Sequence, residues 1–168
     1  MRRGRQLVSS IARGAVAGAI GTLAMDLVWF SRYRRGGGER QFAGWEITKD
    51  LESWEQAPAP GQMGRKVLQL VGVEVPVKRA AALSNFMHWS YGSTWVVAAA
   101  ALVPRRPWWA GPALGALVWS SDYVVLPLAG LYEPIWRYDL RTLGKDLSAH
   151  LVFGTTSDSA LRLLSRGS

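Results

Sequence analysis

Apolar residues along the chain gather into four long runs, at 11–30, 81–103, 108–131 and 144–164, separated by one long polar connection and two shorter turns. A helix of about 20 apolar residues crosses the hydrocarbon core of a bilayer, so each run is long enough to be a span. The second run is the cleanest, with His88 as its only ionisable residue. The third carries Asp122 and an interior Pro127, which bends or ends a helix because proline lacks an N–H for the preceding turn. The fourth is the most polar, with Lys145, Asp146, His150, Thr155, Thr156, Ser157 and Asp158, and alone it reads as an amphipathic soluble helix. A repeat raises it to a span. His88-Trp-Ser-Tyr91-Gly92-Ser93-Thr94 recurs as His150-Leu-Val-Phe153-Gly154-Thr155-Thr156, and each copy is preceded by an apolar run with one aspartate, Asp26 or Asp122. The pattern therefore predicts an all-α integral membrane four-helix bundle built from two duplicated helical hairpins.

Residues 31–80 form the long connection, expected to lie in the membrane interface. Arg32 to Arg40, with Gly36-Gly37-Gly38, reads as a flexible basic tether. Ile47, Leu51 and Trp54 recur at helical spacing while Glu46, Asp50, Glu52 and Glu55 fall elsewhere, which predicts one short interfacial helix over 45–56, stopped by Ala57-Pro58-Ala59-Pro60-Gly61. A second short helix is expected over 63–71, ending at Gly72, with extended chain before Pro76. Such a connection is either a lid over one side of the bundle or a loop resting on the headgroups.

Composition changes the picture little. The 168 residues suit one domain, and 20 Lys and Arg against 12 Asp and Glu give a net charge of +8, which points to nucleic acid or an anionic membrane surface. The arginines decide between these: Arg2, Arg3, Arg5 and Arg13, then Arg32, Arg34 and Arg35, then Arg105 and Arg106 flank apolar runs, as they do around bilayer spans. Lipid headgroups thus account for the charge and no nucleic acid partner is expected. Trp29, Trp89, Trp108, Trp109 and Trp136 fall near run ends, where indole suits the headgroup region. Mean hydropathy is +0.04, low for a membrane protein, because the tails and the connection are polar. The absence of cysteine excludes disulfides, thiolate metal sites and cysteine nucleophiles. Residues 1–30 have the outline of a signal peptide, but Asp26 and the three later runs favour a retained first helix. Basic residues are densest at the termini and the 103–107 turn, which puts both termini on the cytoplasmic side of a bacterial inner membrane; Arg32, Arg34 and Arg35 run against that rule.

The chemistry lies in the repeated pair. Asp26 is near the end of the first run and His88 near the start of the second, so in an antiparallel hairpin both sit about 6 to 9 Å inside the same membrane face, at about 1.5 Å per residue. Asp122 and His150 repeat this, and the four form a candidate buried polar layer. An ionisable group in hydrocarbon costs about 3 kcal/mol or more unless partnered, so such a layer needs a reason. Gly14 and Gly18 share a stripe with Thr22 and Asp26, and Gly111 and Gly115 share one with Asp122; Gly92 and Gly154 leave space beside the two histidines. Small residues of this kind let helix backbones approach closely. Thr22, Tyr91, Ser157 and Asp158 are candidate linings of a polar path.

Several chemistries fit the layer. One is a proton or ion relay, or a small-solute site using it. Another is a divalent metal on His88, His150, Asp26 and Asp122, disfavoured because neither histidine has a ligand three or four residues on. A third is haem held between His88 and His150. The bland alternative is polar glue that fixes helix packing in a non-catalytic scaffold or partner subunit. Ser90, Ser93, Ser120 and Ser121 make no nucleophile arrangement, and phosphate loops, metalloprotease helices and dinucleotide fingerprints are absent, so an enzyme is not expected. Glu133, Asp139 and Asp146 beside Arg137, Arg141 and Lys145 read as a solvated ion-pair rim. Four spans are few for an independent transporter, which favours a homodimer or a partner membrane subunit.

Gly18-x-x-Gly21-Thr22-x-x-Met25-Asp26, Asn85-Phe-Met-His88-Trp-Ser-Tyr91-Gly92 and Leu147-Ser-Ala-His150-Leu-Val-Phe153-Gly154 together resemble uncharacterised bacterial four-span inner-membrane proteins. The stretch Ser53-Trp-Glu-Gln-Ala-Pro-Ala-Pro60 is similar to their actinobacterial members. More distantly the chain resembles the YagU-like family, which has a histidine at the head of one span and a Gly-His pair near the last; here Ala149 replaces that glycine. The resemblance implies a multi-pass inner-membrane location and brings no established activity.

Overall fold

The computed structural model describes residues 2–47, 51–103 and 106–166. Among these, six α-helices and three short 3-10 turns are present and no strand. The helices are α1 (Arg2–Arg35), α2 (Phe42–Ile47), α3 (Ala59–Leu70), α4 (Ala80–Leu102), α5 (Ala110–Leu128) and α6 (Leu140–Ser165). Four of them, α1, α4, α5 and α6, correspond to the four apolar runs. The fold is all-α.

Close-approach glycines set the packing. A Cβ on Gly14 would lie 3.0 Å from Val97 Cα, and one on Gly18 would lie 2.5 Å from Ser93 Cα, so α1 and α4 touch backbone to backbone. On the other side a Cβ on Gly111 would lie 2.9 Å from Thr155 Cα, and one on Gly115 only 2.2 Å from the His150 carbonyl oxygen. Gly154 returns the contact, 2.2 Å from the Gly111 oxygen. Small residues here do what they do between helices in general, allowing dispersion contacts that a side chain would hold off. α1 also packs along α6, whereas α4 and α5 form no comparable interface, so the order across the molecule is α4, α1, α6, α5. Ala17, Val96, Leu114, Val118, Ala149 and Phe153 fill the core between them. Because α4 and α5 diverge, the space between them is open to be a cavity.

Helix ends differ from the sequence expectations in three places. α1 does not stop near residue 30 but continues through Arg35, and Gly36-Gly37-Gly38 is a defined helix terminus and not a tether. Gly37 takes φ +90°, Gly38 N–H donates to the Tyr33 carbonyl at 3.0 Å, and the Arg32 guanidinium donates to the Lys145 carbonyl and to Ser148 Oγ, both at 2.7 Å. The positive φ is one that only glycine adopts freely, and the arginine anchor ties the end of α1 to the start of α6. The single helix expected over 45–56 is instead α2 followed by a 3-10 turn at Trp54–Gln56, with 48–50 outside the described residues. Ile47 is exposed while Trp54 is buried with Ala57 and Ala80, so the two do not share a face. The Pro58-Ala59-Pro60 stretch starts α3 instead of only ending a helix, because a proline in a first turn loses no intrahelical bond.

Asp139, expected to be part of a solvated rim, caps α6: its carboxylate accepts from the Thr142 N–H at 2.9 Å and from the Thr142 hydroxyl at 2.7 Å. The Thr142 hydroxyl and backbone bonds hold the Asp139 carboxyl below its ordinary value. A carboxylate with a depressed folded pKa contributes stability above its unfolded pKa, and loses it as pH falls through the folded one. Protection of the Thr142 amide against hydrogen exchange, taken relative to its intrinsic rate at each pH, should therefore fall below the ordinary carboxylate range, and Asp139→Ala should show the reduced protection at neutral pH already.

Among the described residues, one helix, over Val8–Arg35, is long and apolar enough by itself to cross a membrane. In α4 and α5, polar residues such as Asn85, His88, Ser121 and Asp122 lower the mean hydropathy.

Candidate functional site

Antiparallel packing brings the repeated aspartates and histidines to one end of the bundle, opposite the chain termini. Asp26 is near the C-terminal end of α1 and His88 near the start of α4. His88 Nε2 lies 2.9 Å from Asp26 Oδ1. Asp122 on α5 and His150 on α6 stand in the same relation, with His150 Nε2 3.3 Å from Asp122 Oδ2. The two pairs are joined by Tyr91, whose hydroxyl donates to Asp122 Oδ1 at 3.0 Å and lies 3.2 Å from Ser121 Oγ. That bond crosses the gap where α4 and α5 diverge.

All four residues line one cavity of about 330 Å³. Thr22 and Tyr91 line it too, as the sequence suggested, and so does Gly92. Ser157 and Asp158 do not. Ser157 is fully buried against Gly21, and Asp158 lies further along α6, paired with Arg106 and with Arg162, whose Nε donates to it at 2.8 Å. These two lie outside this cavity because each further turn of α6 moves about 5.4 Å away from it, toward the end of the helix.

Sequence reasoning missed two acids. Asp146 is four residues before His150, so helical spacing puts it on the same face: its carbonyl accepts from His150 Nδ1 at 3.0 Å and its carboxylate is 3.5 Å from that nitrogen. The i−4 spacing is legible in the sequence, but the adjacent Arg141 and Lys145 make Asp146 read as part of a solvated rim. Glu46 on α2 is buried, accepting from Trp89 Nε1 at 3.1 Å, while its backbone carbonyl accepts from Asn85 Nδ2 at 3.0 Å. No local signal could have placed it there. Glu46 and Trp45, with Pro58, Pro60 and Met63 around the start of α3, cover the cavity from the connection. α3 is held close to α4 at Gly61, where a Cβ would meet Ser84 Oγ at 2.0 Å.

The proton chemistry follows from donor counting. His150 faces acceptors from both ring nitrogens, a backbone carbonyl at Nδ1 and a carboxylate at Nε2. A neutral imidazole has one N–H, so both contacts are satisfied only if one further proton resides on Nε2 or on Asp122. The other pair is less saturated: Asp26 Oδ2 and Thr22 Oγ1 are buried without a hydrogen-bond partner among the described residues, and both residues line the cavity. Buried polar atoms without partners are costly, at about 1 to 3 kcal/mol each, and these two lie at the cavity wall. At the cavity edge, desolvation and then the charges of Asp146 and Asp122 push the Tyr132 hydroxyl up to about 12, so it remains a neutral phenol.

Among the described residues no three His, Asp or Glu side chains converge as a metal site. Axial ligation of haem through Nε2 of His88 and His150 would require both histidine–aspartate contacts to break. Set beside known proteins, the chain matches no family model, no curated protein and no solved structure.

Proposed function

We propose that the chain is a multi-span protein of the bacterial inner membrane that takes a small solute into the Asp/His cavity and moves it in exchange for protons carried by the cavity's own carboxylates and imidazoles. The observation that carries this reading is that two aspartate–histidine pairs from four helices face one cavity, with unsatisfied Asp26 and Thr22 oxygens at its wall. Polar glue alone gives no reason for a cavity at the meeting point of both pairs. A membrane setting is supported by an inverted distribution of polarity. Val8, Ile11, Val16, Ile20, Leu23 and Leu27 point outward along α1, and Leu117, Val124 and Leu128 along α5, while Thr22, Asp26, His150, Ser157 and Asp158 are buried. Water-soluble bundles place such groups the other way round. The four long helices have 34, 23, 19 and 26 residues. Even the shortest is about 29 Å long at 1.5 Å per residue, enough for a hydrocarbon core of about 30 Å.

In this reading α1 with α4 and α5 with α6 are the two duplicated hairpins, and both termini, which share one end of the bundle, are cytoplasmic. The outward stripe of α1 faces lipid or a second copy of the chain. Asp26, Glu46, Asp122 and Asp146 outnumber His88 and His150 by two, and Trp29, Trp45, Tyr91 and Tyr132 supply aromatic walls. Carboxylates with aromatic faces favour a positively charged, partly apolar solute such as an alkylammonium ion.

The test is flux in proteoliposomes holding a pH-sensitive dye. A tetramethylammonium gradient should drive proton movement through the wild-type protein, and Asp26→Asn/Asp122→Asn should reduce it about 100-fold, since both proton-holding carboxylates are gone. Wild-type liposomes that move no more protons than empty ones, with this ion and with larger alkylammonium ions, would leave the scaffold reading in its place.

A further inference from the structure

At the end of the bundle where α1 begins and α6 ends, α1 at Ser10 and Arg13, the end of α4 and the last turns of α6 enclose a second cavity of about 410 Å³. Arg13, Arg106, Arg162 and Arg166 line it, with Ser10 and Ser165. One carboxylate, Asp158, meets two of these four cations, accepting from Nε of Arg106 and of Arg162. Arg162 is further held by the carbonyls of Arg106 and Pro107, at 2.8 and 2.7 Å. Arg13 donates to Ser9 Oγ. Arg106 is the most informative. Its side chain is only 11% exposed, yet its Nη1 is buried with no hydrogen-bond partner among the described residues. A guanidinium fixed along one edge by a carboxylate, with an unsatisfied terminal nitrogen beside three more arginines, presents donors for a tetrahedral oxyanion. Among the described residues, four arginines line this pocket and only Asp158 offsets them, a local positive excess that an anion in the pocket relieves.

We propose that this pocket binds the phosphate of a phosphomonoester or phosphodiester. The geometry is independent of the Asp/His cavity at the other end of the bundle and of any solute bound there. A cavity of this volume takes the phosphate group and the first atoms of its substituent. Either a lipid headgroup or a phosphate ester from solution carries that chemistry.

The test uses the full chain purified in detergent, without changing the Asp158 partners. Arg13→Gln/Arg166→Gln removes two donors and leaves Arg106 and Arg162 in their ion pairs. Retention of added phosphatidylglycerol is read by native mass spectrometry, and binding of inorganic phosphate by the upward shift of the unfolding temperature. The wild type should bind at least one of these probes, and the double variant should bind it at least about tenfold more weakly, as expected for the loss of charge-assisted bonds. Retained phosphatidylglycerol that millimolar phosphate fails to displace identifies the lipid as the source; a thermal shift with phosphate and no retained lipid identifies a soluble ester. Wild-type protein that binds neither probe, or a double variant that binds as the wild type does, overturns the proposal. If the double variant does not fold, Arg166→Gln alone, in the exposed last turn of the chain described, gives the same reading.

Discussion

Gly115→Ala should destabilise the bundle by about 3 kcal/mol or more, although it adds a single methyl group. The new Cβ would sit 2.2 Å from the His150 carbonyl oxygen and 2.8 Å from its carbon, and both are backbone atoms of α6. No rotamer change relieves such a contact, so α5 must move off α6, and with it go Leu114, Val118 and the Asp122–His150 contact. Gly144→Ala is the control. It adds the same methyl within α6 where nothing lies within 4 Å, so replacing a flexible residue by a better helix former should stabilise by up to about 1 kcal/mol. Denaturation in mild detergent, followed by circular dichroism, separates the two. Equal stability of both variants would mean that α5 and α6 do not meet at these glycines.

Asp158→Ala should cost about 3 to 5 kcal/mol, the range for removing one partner of a buried ion pair. Its side chain is 7% exposed and meets Arg106, whose side chain is nearly as buried, so the change strands a cation inside the protein. Arg162 is more exposed and can turn to water, which places the loss mainly on Arg106. Removing the cation as well should recover part of the stability: Asp158→Ala/Arg106→Ala should be less destabilised than the sum of the single changes by about 1 to 3 kcal/mol. Additive losses would show that the two side chains do not meet.

The sequence and the structure agree where one principle dominates. Four helices were visible because apolar runs of that length have no other economical form, and the glycine stripes marked the faces on which they meet. The depth argument placed Asp26 near His88 and Asp122 near His150, and those are the side chains in contact. What depended on tertiary docking was not legible. Arg106 and Asp158 are 52 residues apart and meet only because the turn after α4 folds onto the last turns of α6. Glu46 reaches the cavity because Trp89 and Asn85 hold α2 against α4, which no local pattern encodes. The charged end of α1 looked like a loop because charge ends an apolar run without ending a helix. Asp146 is the instructive miss, since i and i−4 are neighbours on a helix as surely as i and i+4.

Both histidines of the chain belong to the proposed layer, which makes it accessible to one experiment. In protein labelled with nitrogen-15 at histidine, only two imidazoles give signals, and each reports its own carboxylate. Asp26→Asn should shift the ring nitrogens of one histidine, His88, and Asp122→Asn chiefly those of the other. Both imidazoles should exchange protons with water more slowly than a free one. Two imidazoles with free-histidine shifts, indifferent to both substitutions, would contradict the buried aspartate–histidine layer and the function proposed from it.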